Sequence, residues 1–249
     1  IINKKTKSKK KYDNWLDQLQ SWKKKYPNVR KEYYKKKTKC NPYVFFEKLS
    51  KLTGKSDVLI PDASANLIWA MQSFNIKGQK VFTALNHSPM GYSMPATVGA
   101  FFADQRKNII CTIGDGSMQM NIQELATISH FQLPVKIFVI NNGGYGLIKQ
   151  TQDTWLNKRR VGVDKDSDLA MPDLVNIAKA YGIKTMKIKN HDDLNSKLKK
   201  ILKSSVPIVC DILVDPKQRV SPKLEFGKPI HDMSPRLSEK EINSEMLND

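Results

Sequence analysis

Short apolar runs alternate with amphipathic segments along most of the chain, beginning near residue 57. The runs that predict strands lie at 57–60, 80–84, 108–113, 135–140, 184–188 and 207–213. Helical periodicity fills most of the intervals, near 65–74, 93–103, 120–131, 172–181 and 191–203. The runs "IICTI", "VKIFVI" and "VPIVCDILV" are almost continuously apolar, as in strands covered on both faces. The pattern predicts an α/β fold: a doubly wound parallel six-stranded sheet with helices on both faces.

The segments on either side of this alternating region have different patterns. Before it, apolar side chains recur at helical spacing until Pro27, at Trp15, Leu19, Trp22 and Tyr26. Asn41 then suits a helix N-cap and Pro42 the first helical position. The region after residue 215 contains four prolines, which predict an extended segment. We therefore divide the chain into a basic linker or helical arm from an upstream domain (1–39, with a polar, mobile start at 1–11), a core domain (40–215) and an extended C-terminal tail (216–249).

The formal net charge of +18 is concentrated at the start of the chain. Residues 1–55 contain 18 Lys or Arg and four Asp or Glu, which places +14 of the total there. Nearly all of these cations are Lys, whereas direct base readout relies heavily on Arg. The pattern therefore favours a solvated basic linker over a nucleic-acid partner. The alternative, a Lys-rich nucleic-acid-binding protein, predicts salt-dependent binding that is lost when residues 1–39 are removed.

Two further features of composition narrow the setting of the protein. No apolar window approaches the roughly 18 residues of a membrane-spanning helix, so no membrane partner is expected. The cysteines Cys40, Cys111 and Cys210 have no metal-like spacing, and the last two lie in predicted buried strands. A reducing, cytoplasmic location fits this cysteine usage.

Polar clusters follow two of the predicted strands. Gly114-Asp115-Gly116 comes after the strand at 108–113, and Asn141-Asn142 comes after the strand at 135–140. Parallel sheets bind ligands at the carboxyl ends of their strands. A carboxylate and an amide oxygen suit Mg²⁺, which completes its shell with water and substrate phosphates, while nearby glycines let the backbone approach an anion. Each cluster alone is a common turn sequence. Together they predict a metal–diphosphate site.

The same motif resembles the cofactor motif of thiamine-diphosphate enzymes, in which "GDG" precedes "NN" at about this spacing. The segments "SPMGYSMPATVGA", "NIQELATISHFQLPVKIFVINN" and "MPDLVNIAKAYGIK" are similar to the acetolactate synthase group of that family. The resemblance covers roughly residues 40–215 and implies that this region is the diphosphate-binding domain, with thiamine diphosphate and Mg²⁺ as cofactors. The tail sequence "IHDMSPRLSEKE" resembles acetolactate-synthase-like proteins of sugar and surface-polysaccharide pathways.

The resemblance also implies a role for each matching residue. Mg²⁺ would be bound by the Asp115 and Asn142 side chains and by the Gly144 carbonyl. The remaining cofactor contacts would come from Ser64, Ala65, Asn66, Ser88, Met90, Gly114, Gly116, Ser117, Tyr145 and Gly146. Among these, the Met90 side chain would lie under the bent cofactor, and Ser88 would meet the aminopyrimidine ring through its backbone. Read without the family, residues 64–66 are an ordinary helix start and Met90 is core filler.

The implied activity is decarboxylation of a small 2-oxo acid such as pyruvate, followed by ligation of the remaining acyl unit to an acceptor carbonyl. A 2-oxo acid decarboxylase without ligation is the alternative among enzymes, and a binding relic without turnover is another. In the family, the glutamate that activates the cofactor lies in a pyrimidine-binding domain, here expected from an upstream segment or a second subunit. No catalytic residue is therefore expected in this chain. Glu124 lies within a predicted helix and is no substitute. A homodimer or homotetramer follows from the same resemblance.

Two residues beside the motif raise questions about the substrate. His87 precedes the Ser88–Met90 segment, where it either reaches substrate or is a structural loop residue. Many acetolactate synthases carry Trp at the position of Thr151, which in this family lines the acceptor side. A small hydroxyl there predicts a bulkier or more polar acceptor than a second pyruvate, such as a keto-sugar. In the alternative, Trp155 or the tail refills the space and ordinary acetolactate is formed.

Overall fold

A six-stranded parallel sheet forms the centre of the computed structural model, which describes residues 12–35, 38–103 and 108–246. Its strands are β1 (Asp57–Pro61), β2 (Lys80–Val81), β3 (Asn108–Gly114), β4 (Lys136–Asn141), β5 (Lys184–Ile188) and β6 (Ile208–Leu213). They follow the order β2-β1-β3-β4-β6-β5, and every neighbouring pair is parallel. The predicted fold class is confirmed.

Helices cover both faces of the sheet, as the apolar strands require. The helices are α1 (Asp13–Lys25), α2 (Pro42–Leu52), α3 (Ser64–Ser73), α4 (Ser93–Ala103), α5 (Asp115–Met118), α6 (Glu124–His130), α7 (Gly146–Trp155), α8 (Leu174–Ala180), α9 (Leu194–Leu202) and α10 (Glu239–Glu245). Apolar side chains of α2, α3 and α9 pack on one face, and those of α4, α6 and α8 pack on the other. Four of the strands, β1, β3, β4 and β6, therefore alternate their side chains between two separate cores.

The start of α2 shows how local sequence sets one of these elements. Asn41 Oδ1 accepts a hydrogen bond from the Tyr43 backbone N–H at 2.9 Å, and Pro42 occupies the first turn, as predicted. The helix then buries Phe45 against Phe138 of β4, with ring centroids 5.3 Å apart. This packing holds the amino-terminal part of the core domain against the centre of the sheet.

The structure differs from the predicted elements in several places. Strand β2 ends at Val81 instead of continuing to residue 84, and the predicted helix at 120–131 begins only at Glu124, after a 3₁₀ turn at Gln119–Asn121. Helix α7 was not predicted, because its start lies among glycines that read as a turn. The tail contains α10 as well as irregular segments. The division into arm, core domain and tail stays a prediction, and its start at residues 1–11 lies outside the described residues.

The arm and the tail contact each other through α1 and α10. Lys25 Nζ donates to Glu245 Oε1 at 2.7 Å and lies 3.1 Å from Glu241 Oε1. The Tyr26 hydroxyl also donates to Glu241 Oε1, at 2.8 Å. The two ends of the described chain are therefore joined by charged groups on the surface. Within the described ranges, no helix is long and apolar enough to cross a membrane.

All three cysteines are unpaired and buried. Cys111 lies in β3 and Cys210 in β6, as predicted, while Cys40 is buried where the chain enters the core domain. Burial raises the pKa of the Cys111 thiol to about 12. These thiols therefore behave as small apolar side chains and not as nucleophiles.

Candidate functional site

A narrow cleft opens at the carboxyl ends of β1, β3 and β4. Every predicted cofactor residue except Ser88 lines it. The lining comprises Ala63, Ser64, Ala65, Asn66, Trp69, Met90, Gly114, Asp115, Gly116, Ser117, Ile140, Asn142, Gly144, Tyr145, Gly146, Leu147 and Ile148. These residues come from separate stretches of sequence that the parallel topology brings to one edge of the sheet.

Asp115 joins the ends of β3 and β4. Its Oδ2 accepts hydrogen bonds from the backbone N–H groups of Gly143 at 2.8 Å and Gly144 at 2.9 Å, and its Oδ1 accepts one from Gly116 at 3.0 Å. The side chain is only 2% exposed. Burial raises the pKa of the Asp115 carboxyl to about 6, although the three backbone hydrogen bonds act in the opposite direction. A cation beside this carboxylate would restore a low pKa.

Asn142 and Tyr145 lie against glycines that leave no room for a side chain. A Cβ added to Gly146 would fall less than 3.0 Å from Asn142 Nδ2, and one added to Gly116 would meet the Tyr145 ring equally closely. A larger residue at either position would displace the Asn142 or Tyr145 side chain from its place between the loop after β3 and the loop after β4. The close approach places the Asn142 carboxamide and the Asp115 carboxylate in the same cleft.

A second loop crosses the loop after β4 and fixes its path. The Tyr145 backbone N–H donates to the Val163 carbonyl at 2.9 Å, and Gly144 forms an isolated antiparallel bridge with Asp164. Gly144 has φ +150°, and a Cβ there would lie less than 3.0 Å from the Val163 carbonyl oxygen. The Asp164 carboxylate forms an ion pair with Lys149 of α7, which holds the pKa of that carboxyl below its usual range. Sequence reasoning missed this pair, since neither residue belongs to the motif.

The first turns of two helices also line the cleft. Ser64 to Asn66 begin α3, and Gly146 to Ile148 begin α7. The first backbone N–H groups of a helix lack partners within the helix and favour anions. Ser64 adopts a left-handed conformation with φ +64°, which is uncommon for a residue with a Cβ. The Oδ1 atom of Asn66 is buried without a hydrogen-bond partner in the part of the chain that the structure describes. Both features are typical of a site built for a ligand.

The segment that contains Ser88 and Met90 reaches the cleft only in part. Met90 lines it, whereas the Ser88 backbone N–H donates to the Ala84 carbonyl at 2.8 Å and Ser88 is absent from the lining. His87 is exposed in the same loop and also lies outside the lining. The buried Asp62 holds the turn that follows Met90, and the sequence patterns gave no sign of it. The proposed roles of Ser88 and His87 stay predictions.

A second, wider and largely apolar pocket adjoins the cleft and shares Leu147 with it. Thr151 and Trp155 of α7 line it, together with tail residues that include Leu224 and Phe226. The Thr151 hydroxyl donates to the Leu147 carbonyl at 3.1 Å, so it offers less to a ligand than the sequence alone suggested. The ring centroids of Trp155 and Phe226 are 6.0 Å apart. Trp155 and the tail therefore both lie beside Thr151, and the bulkier or more polar acceptor stays a prediction.

The residues of the cleft fit a divalent cation with a diphosphate. An ionised carboxylate has about four acceptor sites. Three backbone hydrogen bonds fill three of these sites on Asp115, so one acceptor site is left for a cation. Over the described ranges, no group of three or more His, Cys, Asp or Glu could hold a metal ion. A cation in this cleft would therefore need oxygen ligands from a bound phosphate and from water, as Mg²⁺ does. The glycine contacts and the helix starts supply the surface for that phosphate.

Comparison with known proteins identifies the family of the chain. Residues 62–212 match the family described as thiamine pyrophosphate enzyme, C-terminal TPP binding domain. The acetolactate synthase large subunit of Cyanidium caldarium is 32% identical over 220 residues, covering 86% of this chain and 36% of that protein. The mitochondrial acetolactate synthase of Schizosaccharomyces pombe is 31% identical over 227 residues, covering 88% and 32%. Acetolactate synthase 2 of Zea mays, a chloroplastic protein, is 30% identical over 233 residues, covering 91% and 36%.

The chain thus spans about a third of the length of these curated relatives. The match begins at residue 62, directly after β1, and includes the ends of β3 and β4 and the other segments that line the cleft. The resemblance to the acetolactate synthase group is confirmed. The chain belongs to the family of C-terminal thiamine pyrophosphate (thiamine diphosphate) binding domains of thiamine pyrophosphate enzymes.

Proposed function

We propose that the chain binds thiamine diphosphate and Mg²⁺ and forms the cofactor-binding part of an acetolactate-synthase-like transferase that acts on a 2-oxo acid such as pyruvate. The observation that carries this proposal is the hydrogen bonding of Asp115 to Gly143 and Gly144, which joins two strand ends around one carboxylate. Family membership and relatives that are named acetolactate synthases support the same activity.

The residues of the chain would bind the cofactor in two parts. Asp115, Asn142 and the Gly144 carbonyl would hold Mg²⁺; the Gly144 carbonyl also accepts a hydrogen bond from the Gly146 N–H at 3.0 Å, which leaves one lone pair for a metal. The first turns of α3 and α7, with Gly116 and Ser117, would hold the diphosphate. Met90 and the backbone around it would hold the ring at the other end. Gly114 and Tyr145 complete the walls of the cleft.

When bound, thiamine diphosphate supplies a carbon nucleophile and an electron sink for cleaving the bond between a carbonyl and a carboxylate. The residues of this chain would hold the cofactor in a fixed orientation. Close contacts at Gly116 and Gly146 bring together the loops that would hold the diphosphate end, and Asp115 is buried between them. Asp115 and Tyr145 are the titratable side chains among the residues that line the cleft, and Asp115 is assigned to the metal. Glu124 starts α6 and lies outside the lining.

The remaining half of the active site would come from a pyrimidine-binding domain, supplied by an upstream segment or a second subunit. That domain would carry the activating glutamate, and a homodimer or homotetramer would bring it over the cleft. Three buried, unpaired thiols support a reducing compartment such as the cytoplasm.

The test is product analysis with the assembled protein that contains this chain, supplied with thiamine diphosphate, Mg²⁺ and pyruvate. We expect loss of CO₂ and formation of a new carbon–carbon bond, seen by mass spectrometry of the products. Free aldehyde as the main product would favour the decarboxylase alternative. Absence of both products over a panel of 2-oxo acids would contradict the proposed activity.

A further inference from the structure

Asp62 is a buried carboxylate that binds the backbone of a distant turn. It follows β1 directly, and its side chain is 0% exposed. Its Oδ1 accepts a hydrogen bond from the Gly91 backbone N–H at 3.1 Å, and its Oδ2 accepts one from the Ser93 N–H at 2.9 Å. Both oxygens of one side chain therefore hold the short turn between Met90 and the start of α4.

The same turn is held from its other side by the segment after β3. Asn121 Nδ2 donates to the Gly91 carbonyl at 3.1 Å. Gly91 has φ +88°, and a Cβ there would lie less than 3.0 Å from both Met120 Cβ and Asn121 Nδ2. The turn is therefore confined between Asp62 and the Met120–Asn121 segment, and Met90 directly precedes it.

Asp62 also contacts the helix start that lines the diphosphate end of the cleft. Asn66 Nδ2 donates to the Asp62 carbonyl at 3.2 Å and to the Thr112 carbonyl at 2.8 Å. The Asp62 backbone N–H donates to the same Thr112 carbonyl at 2.8 Å. One residue thus connects β3, the start of α3 and the turn after Met90, although it does not line the cleft itself.

We infer that Asp62 is a positioning residue that sets the distance between the Met90 end and the diphosphate end of the cleft. This inference rests on the proposed binding of thiamine diphosphate. If the distance between the two ends of the cleft is fixed before binding, both ends can hold one cofactor without a further loss of conformational entropy. The diphosphate end has its own supports in Asp115 and the glycines, so it does not depend on the Asp62 carboxylate.

The substitution Asp62→Asn tests whether the Asp62 carboxylate supports the Met90 end of the cleft and not the diphosphate end. It keeps the shape of the side chain but turns one acceptor into an NH₂ donor that faces a backbone N–H group. We expect the affinity for thiamine diphosphate, measured calorimetrically with Mg²⁺ in the assembled protein, to fall about tenfold. The affinity for inorganic pyrophosphate with Mg²⁺ should stay within about twofold of wild type, because this probe occupies only the diphosphate end.

Asp57→Asn is the matched control. Asp57 lies at the opposite end of β1, is 5% exposed, and also accepts two hydrogen bonds, from the Gly54 N–H at 2.8 Å and from Asn108 Nδ2 at 2.8 Å. It should cost similar stability in urea unfolding and leave both affinities unchanged. Hydrogen exchange at the Gly91 and Ser93 amides should accelerate in Asp62→Asn and not in Asp57→Asn, a readout that needs no bound cofactor.

The possible outcomes separate this inference from the proposed function. If wild type fails to bind thiamine diphosphate, both are wrong. If wild type binds it and Asp62→Asn loses affinity for the cofactor and for pyrophosphate equally, or for neither, only the positioning role is contradicted. An equal loss of cofactor affinity in Asp57→Asn would likewise assign the effect to general destabilisation. The inference stands only if the cofactor affinity and the pyrophosphate affinity diverge in Asp62→Asn alone.

Discussion

At the scale of single residues, the cleft depends on backbone positions as much as on side chains. Gly143 and Gly144 are adjacent and both have positive φ, at +76° and +150°. Their surroundings differ, because a Cβ on Gly143 would meet nothing within 4 Å, whereas one on Gly144 would strike the Val163 carbonyl. The pair therefore separates the cost of backbone conformation from the cost of close packing.

We predict that Gly144→Ala destabilises the protein by at least about 2 kcal/mol more than Gly143→Ala. Both substitutions carry a backbone cost of about 1 kcal/mol for a left-handed residue, but only the first forces the loop at Val163 to move. Urea unfolding of the two variants measures the difference. Equal unfolding free energies would show that the crossing loop yields without cost, contrary to the packing seen here.

At the scale of elements, the sequence predicted those strands and site residues that continuous local patterns mark. The strands β3 and β4 are continuous apolar runs that end at Asp115 and Asn142, so both the sheet and the central part of the cleft could be placed in advance. Asp62 could not, because its partners Gly91 and Ser93 lie 29 and 31 residues away and only the folded sheet brings them together. Helix α7 was missed because tertiary packing overrides the glycines at its start.

The buried Lys136 in β4 gives a prediction on the pH dependence of stability. Its ammonium donates to the Ser204 carbonyl at 2.7 Å and to the Pro134 carbonyl, and burial lowers the pKa of Lys136 from 10.5 to about 8. Below pH 8 both the folded and the unfolded chain carry the proton, so the full cost of burying the charge opposes folding. Between pH 8 and 10.5 the unfolded chain binds more protons, and the contribution of Lys136 to stability rises with pH.

Comparison with Lys136→Met isolates this contribution, because the buried thiols and all other groups titrate in both proteins. The unfolding free energy of wild type minus that of the variant should rise by about 3 kcal/mol between pH 7 and pH 10.5. Urea unfolding at several pH values gives this difference directly. A constant difference over that range would mean that Lys136 keeps an ordinary pKa in the folded protein.

At the scale of the whole molecule, the cleft is one side of a proposed active site. The chain spans about a third of its curated relatives, and no glutamate is among the residues that line its cleft. We propose that the activating glutamate comes from another domain. The described chain has its own two-sided core, so binding and folding can persist where turnover does not. This separation of binding from catalysis can be measured.

We predict that residues 1–249, purified free of other polypeptides, convert no pyruvate at an enzyme-like rate. The reason is that this chain would bind and orient the cofactor but would not supply the activating glutamate. A coupled assay for CO₂ release, with thiamine diphosphate and Mg²⁺ in excess, makes the test, and the assembled protein that contains this chain serves as the positive control. Turnover by the isolated chain at the rate of that control would place the activating group within these 249 residues.

The most direct test of the metal–diphosphate assignment is a calorimetric titration of thiamine diphosphate into the assembled protein, with Mg²⁺ and then with EDTA. Asp115→Ala is the matched variant, because Asp115 begins α5 directly after β3 and belongs to neither of the two cores that cover the sheet. We predict saturable binding that requires Mg²⁺ and disappears in Asp115→Ala, while the variant still unfolds cooperatively. Cofactor affinity that is unchanged by EDTA, or by Asp115→Ala, would contradict it.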